Sequence, residues 1–70
     1  MTLEEFAKIP GNCVFASALQ TYKEHCNSFD YGFLCGWLLS LSAAEQIIQS
    51  DLNNLFSELD SIWNDAEWND

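Results

Sequence analysis

The sequence has almost no basic residues, because Lys8 and Lys23 are its two cations and arginine does not occur. Two cations cannot form a phosphate-binding patch, so we expect no direct binding of DNA, RNA or an anionic lipid surface. The same sequence contains 11 acidic residues, which give a formal net charge of −9 at pH 7. This balance favours a partner of positive charge.

The sequence also lacks a long hydrophobic run and a basic N-terminus. Its most apolar stretch, residues 31–44, is shorter than the roughly 20 residues that a transmembrane helix needs. The first residues include Glu4 and Glu5 where a secretory signal would be basic, so we predict no signal peptide. These two absences predict no contact with membranes and a cytoplasmic location.

Cysteine is scarce and odd in number: Cys13, Cys26 and Cys35 occur without a CxxC pair. A disulfide framework in a secreted protein has an even count, so we expect three reduced thiols that act as small apolar core residues. A metal site built from His25 and the cysteines is the alternative. His25 and Cys26 are adjacent, however, which fits the spacing of zinc ligands poorly, and no calcium-binding loop motif is present. We therefore expect no metal and no cofactor.

Sequence motifs for catalysis are missing as well. The chain has one histidine and shows no triad, no nucleophile elbow and no phosphate-binding loop. A carboxylate pair for acid–base chemistry needs a cleft that a chain of 70 residues hardly provides. We therefore expect that the protein is not an enzyme.

The apolar content is nevertheless high, at 49% of the residues, which is enough for one domain covering residues 1–70. A domain of this size buries only about 60% of the surface of its unfolded chain, so stabilisation by a partner or as a homodimer stays open.

The first part of the chain predicts two helices. Thr2 and Glu5 have the spacing of a capping box, which starts a short helix over about residues 3–9. The next helix covers about residues 12–26, with its first residue, an asparagine, as the cap and with apolar side chains on one face. Residues 27–30 are expected to be the break that follows.

Residues 30–41 are ambiguous between a helix and a strand. Their large apolar residues fit a helix that is buried on most sides. A stripe of small residues at every fourth position would let another helix of the core approach closely; it consists of Ser28, Gly32, Gly36 and Ser40. Because glycine costs roughly 1 kcal/mol relative to alanine inside a helix, a buried strand pair remains the alternative.

The clearest element is a long C-terminal amphipathic helix. Ser42 and Glu45 have capping-box spacing that would open it, and it continues for about 24 residues or about 36 Å. Its apolar stripe consists of Ile48, Leu52, Leu55, Leu59, Ile62 and Ala66, with Phe56 and Trp63 beside it. The predicted fold is therefore all-α, a small bundle of three to four helices.

Aromatic residues divide into core candidates and one exception. Those expected in the core are Phe15, Tyr22, Phe33, Trp37, Phe56 and Trp63. Trp68 lies among acids and off the apolar stripe. It is a candidate anchor for a pocket of a partner, as an alternative to a partly exposed tail residue.

The acids of the second half form two rows along the last helix. Asp51, Glu58 and Asp65 repeat every seventh residue along one edge of the apolar stripe, and Asp60 and Glu67 lie near the other edge. No lysine or arginine accompanies them, and acids near a helix C-terminus oppose the helix dipole. They serve either solubility or a partner, because carboxylates can replace phosphates as acceptors for Arg and Lys.

In size, charge and these acid rows the chain resembles the small acidic inhibitors of phages and other mobile elements, which include anti-CRISPR and anti-restriction proteins. Many of these proteins imitate DNA. The resemblance implies a non-enzymatic inhibitor of a nucleic-acid-handling protein, such as a CRISPR effector subunit, in the host cytoplasm. It implies no particular fold, because these families share none.

The partner is then expected to present a Lys/Arg-rich surface that normally binds nucleic acid. The residues predicted to bind it are Asp51, Glu58, Asp60, Asp65 and Glu67, with Glu45, Asp70 and Trp68 in support. The alternative function is a helical protein–protein interaction or oligomerisation module. In that case the apolar stripe meets another helix and the acids set partner choice at the rim.

Overall fold

The computed structural model describes residues 1–65. These residues form four α-helices, which are α1 (Leu3–Ala7), α2 (Cys13–Glu24), α3 (Ser28–Ala43) and α4 (Gln49–Asp65). Within the described range no strand occurs. The predicted all-α bundle is therefore confirmed, and the strand alternative for residues 30–41 is wrong.

The capping box at the start of α1 is confirmed. The Thr2 hydroxyl accepts the N–H of Glu5 at 3.1 Å, and the Glu5 carboxylate accepts the N–H of Thr2 at 2.8 Å. The hydrogen bond from the Thr2 backbone lowers the pKa of Glu5. The helix ends at Ala7, before the predicted residue 9, because the residue that precedes a proline disfavours helical geometry.

Asn12 precedes α2 as predicted, but its side chain does not cap the helix. Its Nδ2 instead donates to the carbonyl oxygen of Phe6 at 3.0 Å, and the residue is 8% exposed. Asn12 therefore connects the turn to α1, where it satisfies a buried carbonyl group.

The break between α2 and α3 covers residues 25–27, so α2 ends at Glu24 and not at the predicted Cys26. Asn27 accepts the N–H of Asp30 with its side-chain oxygen at 2.8 Å and so caps α3, which begins at Ser28. The predicted break over residues 27–30 is therefore wrong beyond Asn27, because the side chain of an asparagine at the N-cap satisfies a free N–H of the first turn.

The capping box predicted at Ser42 and Glu45 is wrong, because these residues end α3 instead of opening α4. Glu45 has a left-handed φ of 59°. Its N–H donates to the carbonyl of Ser42 at 3.0 Å, and that of Gln46 donates to the carbonyl of Leu41 at 2.9 Å. These two bonds define a Schellman motif, in which glycine is the usual left-handed residue. The last helix therefore begins later than predicted, at Gln49.

The core lies where all four helices meet, and its fully buried large side chains are Leu3, Phe15, Tyr22, Leu34, Leu38, Leu55 and Leu59. Leu52 joins the buried part of the α4 stripe, and Ile62 is half-buried. Ile48 is 64% exposed, so its assignment to the stripe is wrong. The reason is that it precedes the first helical turn.

Most of α3 is less buried than the sequence predicts. Among its residues Leu34 and Leu38 are the two that are buried, whereas Phe33, a predicted core aromatic, remains 38% exposed. A Cβ atom added at Gly32 or Gly36 would meet nothing in the described chain within 4 Å. Within residues 1–65 no other helix packs on the small-residue stripe, because α2 and α4 pack against the opposite side of α3.

The three cysteines are free thiols in different environments. Cys26 is buried, Cys35 is half-buried and Cys13 is exposed. The prediction of core thiols is therefore wrong for Cys13, which begins α2 on the outer side of the helix. Burial raises the pKa of Cys35.

Candidate functional site

The apolar stripe of α4 determines where its acids lie. Leu52, Leu55 and Leu59 are buried in the core. The helix therefore turns Asp51, Glu58 and Asp65 to one shoulder and Asp60 to the other. The crest between the shoulders is exposed and uncharged, and it is formed by Ser50, Asn53, Asn54, Ser57, Ser61 and Asn64. We call the described acids of this helix, Asp51, Glu58, Asp60 and Asp65, the α4 acids.

Glu58 is half-buried and has a structural partner. Its Oε1 accepts the N–H of Leu3 at 3.0 Å, over a separation of 55 residues. Leu3 is the first residue of α1, and an N–H at this position has no acceptor inside its own helix. A carboxylate is also favoured there by the helix dipole. Glu58 therefore caps α1 from α4, a role that sequence spacing did not reveal.

Asp51 lies beside a positive charge that the sequence analysis did not consider. One of its carboxylate oxygens is 4.0 Å from the N-terminal ammonium of Met1. Both groups are about one-third exposed, so solvent screens this long contact and its contribution to stability is small. Asp51 therefore keeps most of its capacity to accept hydrogen bonds.

Asp60 connects α4 to α3. Its Oδ1 accepts the hydroxyl of Tyr31 at 2.5 Å, and Asp60 itself remains exposed. This hydrogen bond, together with burial, raises the pKa of Tyr31. The ring of Tyr31 lies against Trp63, with 4.6 Å between the centroids. The position of Asp60 is therefore fixed relative to both helices.

Asp65 lies at the last described turn of α4, beside the α2 residue Lys23. Together with Glu58, Ser61 and Ile62 they line an open hollow of about 390 Å³. The Nζ of Lys23 is 3.1 Å from a carboxylate oxygen of Glu4. Lys23 therefore neutralises an acid of α1, and Asp65 has no ion pair among the described residues.

The remaining predicted site residues are separate from this helix or are not described. Glu45 is exposed in the turn after α3, four residues before the first residue of α4. Ala66, Glu67, Trp68 and Asp70 lie outside the described residues. The second predicted row is thus represented by Asp60 alone.

The α4 acids present carboxylate oxygens that can accept hydrogen bonds. Over residues 1–65, no group of three or more His, Cys, Asp or Glu side chains is placed to hold a metal ion. None of the helices in this part of the chain is long and apolar enough to cross a membrane. A recipient that contacts both shoulders must enclose the uncharged crest, so its shape is a groove and not a flat surface.

Comparison with known protein families, with curated proteins and with solved structures finds no match to this chain.

Proposed function

We propose that this protein is a non-enzymatic inhibitor that binds a nucleic-acid-handling protein, such as a CRISPR effector subunit. It blocks the Lys/Arg-rich groove in which that protein receives DNA or RNA. The observation that carries the proposal is the charge of α4. The helix presents acids on both shoulders, and no basic residue follows Lys23 in the sequence.

Carboxylates suit such a groove because Arg and Lys bind them with the same charge-assisted hydrogen bonds that they make to phosphate. Acids seven residues apart on a helix are about 10.5 Å apart along its axis. Phosphates follow one another at about 3.4 Å along the axis of each strand. The α4 acids therefore replace a few phosphates and occlude the groove, and they do not copy a whole duplex.

The α4 acids do not contribute equally to this function. Asp60 and Asp65 are exposed and carry the main part of the binding, while Asp51 supports them beside the ammonium of Met1. Glu58 already caps α1, so its main role is in the fold. Glu45, Glu67, Asp70 and Trp68 remain part of the proposed surface.

The decisive experiment compares two double variants with equal charge changes. D60N/D65N removes two α4 acids, and E5Q/E24Q removes two exposed acids of the first half, with a glutamine at position 5 that can still complete the capping box. Each protein serves as bait in a host lysate at low and high salt, with and without added duplex DNA. We expect the wild type and E5Q/E24Q to retain a nucleic-acid-binding protein that salt or DNA displaces. Retention by D60N/D65N should fall at least about tenfold, because each lost charge-assisted bond contributes about 1.5–3 kcal/mol.

Equal retention by the two double variants would overturn the role of α4. If neither salt nor DNA reduced the retention of the captured protein, binding in a nucleic-acid-binding groove would be ruled out. Circular dichroism of both variants confirms that the comparison is made between folded proteins.

A second candidate function is the helical interaction module with an acidic rim. The apolar stripe of α4 faces the core of this chain, so the surface that favours this function lies on α3, where Phe29 is 80% exposed. Binding through such a surface depends weakly on salt, which distinguishes it from the first proposal.

A further inference from the structure

The solvent side of α3 carries an apolar seam. Phe29, Gly32, Gly36, Leu39 and Ala43 alternate in steps of three and four residues, and every one of them is exposed. Phe29 is 80% exposed and Leu39 is 54% exposed. This spacing places the side chains in one line along a helix, as in the contact line of a coiled coil. We call these five residues the α3 seam.

The α3 seam is free of charge in a protein whose net charge is −9. Asp30 is the one charged residue of α3, and its half-buried carboxylate accepts from the side chain of Asn27 at 2.9 Å. A contact between two α3 seams therefore brings together no charged residue of either seam. The α4 acids stay outside such a contact, since α4 packs on the opposite side of α3.

The two glycines of the α3 seam face no other element within residues 1–65. Neither has a positive φ, and a Cβ at either position would meet nothing in the described residues within 4 Å. Each glycine nevertheless destabilises its helix by roughly 1 kcal/mol relative to alanine. Glycine on a helix surface permits the close approach of another backbone. Both glycines therefore leave room for the backbone of another chain.

We propose that α3 docks against α3 of a second copy of this chain, in antiparallel orientation about a two-fold axis at Gly36. This axis places the small Ala43 opposite the large Phe29, and the small Ser40 opposite Gly32, where the two backbones approach most closely. Antiparallel helices also align their dipoles favourably. The arrangement is isologous: where one residue of the first chain contacts another residue of the second, the same two positions also meet with the chains exchanged.

Other occupants fit the α3 seam less well. A basic protein is attracted to α4 and gains no ion pair at the seam. An amphipathic helix on a lipid surface carries lysine or arginine on its polar side, and α3 contains neither residue. The dimer is independent of the target of the α4 acids, so it stands or falls without the proposed function.

The first test measures mass by sedimentation equilibrium over a range of protein concentrations. The wild type should approach twice the 8.0 kDa of one chain. Gly36→Glu should remain a monomer, because it places two carboxylates together at the axis. Ser57→Glu adds the same charge at an exposed position of α4 and should dimerise like the wild type. Glutamate is a better helix former than glycine, so loss of the fold does not explain a monomeric Gly36→Glu.

The second test establishes the orientation by disulfide cross-linking. A cysteine at position 36 lies opposite itself on the axis, within the roughly 7 Å between Cα atoms that a disulfide tolerates. Gly36→Cys should therefore cross-link rapidly on mild oxidation. Gly32→Cys should not cross-link rapidly, since position 32 of each chain lies opposite Ser40 of the other chain and not opposite position 32. Wild-type protein, with its three native cysteines, gives the background.

Three results would overturn the proposal: a wild type that is monomeric at every concentration, a Gly36→Glu variant that dimerises, or a Gly32→Cys variant that cross-links as fast as Gly36→Cys. The last result would indicate parallel helices.

Discussion

The neighbouring helices α3 and α4 have similar lengths, 16 and 17 residues, but they use their apolar residues differently. α3 is apolar on nearly all sides and buries Leu34 and Leu38. α4 contains fewer apolar residues, yet it buries Leu52, Leu55 and Leu59.

The difference shows that the arrangement of apolar residues decides burial more than their number does. The stripe of α4 occupies one side, which the core of a single small domain can cover completely. A helix that is apolar all round needs neighbours on every side, and a chain of 70 residues does not supply them. One face of α3 therefore remains outside the core.

The largest expected effect comes from the same substitution in the two helices. Leu59 is fully buried, so Leu59→Ala should lower the free energy of unfolding by about 2–5 kcal/mol. Leu39 is 54% exposed, so Leu39→Ala should change it by less than about 0.5 kcal/mol in dilute protein. Urea unfolding, at a protein concentration low enough to keep the protein monomeric, measures the free energy of unfolding of both variants. A similar loss in the two variants would contradict the structure.

A smaller effect should separate two acids of the same α4 row. Glu58→Gln weakens the cap on the N–H of Leu3 and should cost about 1 kcal/mol. Asp65→Asn removes a negative charge near the helix C-terminus, so it should be neutral or stabilise by up to about 0.5 kcal/mol. Thermal unfolding of the two variants gives the comparison. If Asp65→Asn destabilised the protein more than Glu58→Gln does, the proposed role of Glu58 as a cap of α1 would be contradicted.

The smallest effect on the free energy of unfolding at neutral pH is expected at the hydrogen bond between Tyr31 of α3 and Asp60 of α4. Tyr31→Phe removes the hydrogen bond to Asp60 and should cost about 0.5 kcal/mol. The pKa of Tyr31 is raised in the folded state, so its contribution is complete below the ordinary tyrosine pKa of about 10 and decreases as the pH rises above it.

The wild type should therefore lose stability above about pH 10 more steeply than Tyr31→Phe does. The pKa of Tyr22 is raised as well, mainly by burial. The Tyr31→Phe variant should therefore retain part of the dependence of stability on pH. Unfolding by denaturant at several alkaline pH values measures both slopes. Parallel slopes would show that the Tyr31 hydroxyl has no such role.

The sequence was sufficient for features that depend on local spacing. The capping box of Thr2 and Glu5 and the buried stripe of α4 follow from residues three or four positions apart. The structure confirms the capping box and confirms the stripe at Leu52, Leu55 and Leu59. The helical state of residues 30–41 was ambiguous because their apolar residues fit a helix and a buried strand. The structure resolves it in favour of the helix.

Features that depend on distant contacts or on the context of a motif were not predictable. The cap that Glu58 provides to Leu3 joins residues at opposite ends of the chain. Ser42 and Glu45 have the spacing of a capping box but lie in a Schellman motif, because the apolar pattern before them continues the preceding helix. At the candidate site, the sequence located the α4 acids but not their partners Met1 and Tyr31.

The cap on α1 also has a consequence for the synthesis of the protein. A helix of five residues is too short to persist by itself in water, and the acceptor for its first N–H is residue 58. Translation delivers α1 first and this acceptor 55 residues later. We therefore expect α1 to become stable only after the part of α4 that contains Glu58 has left the ribosome.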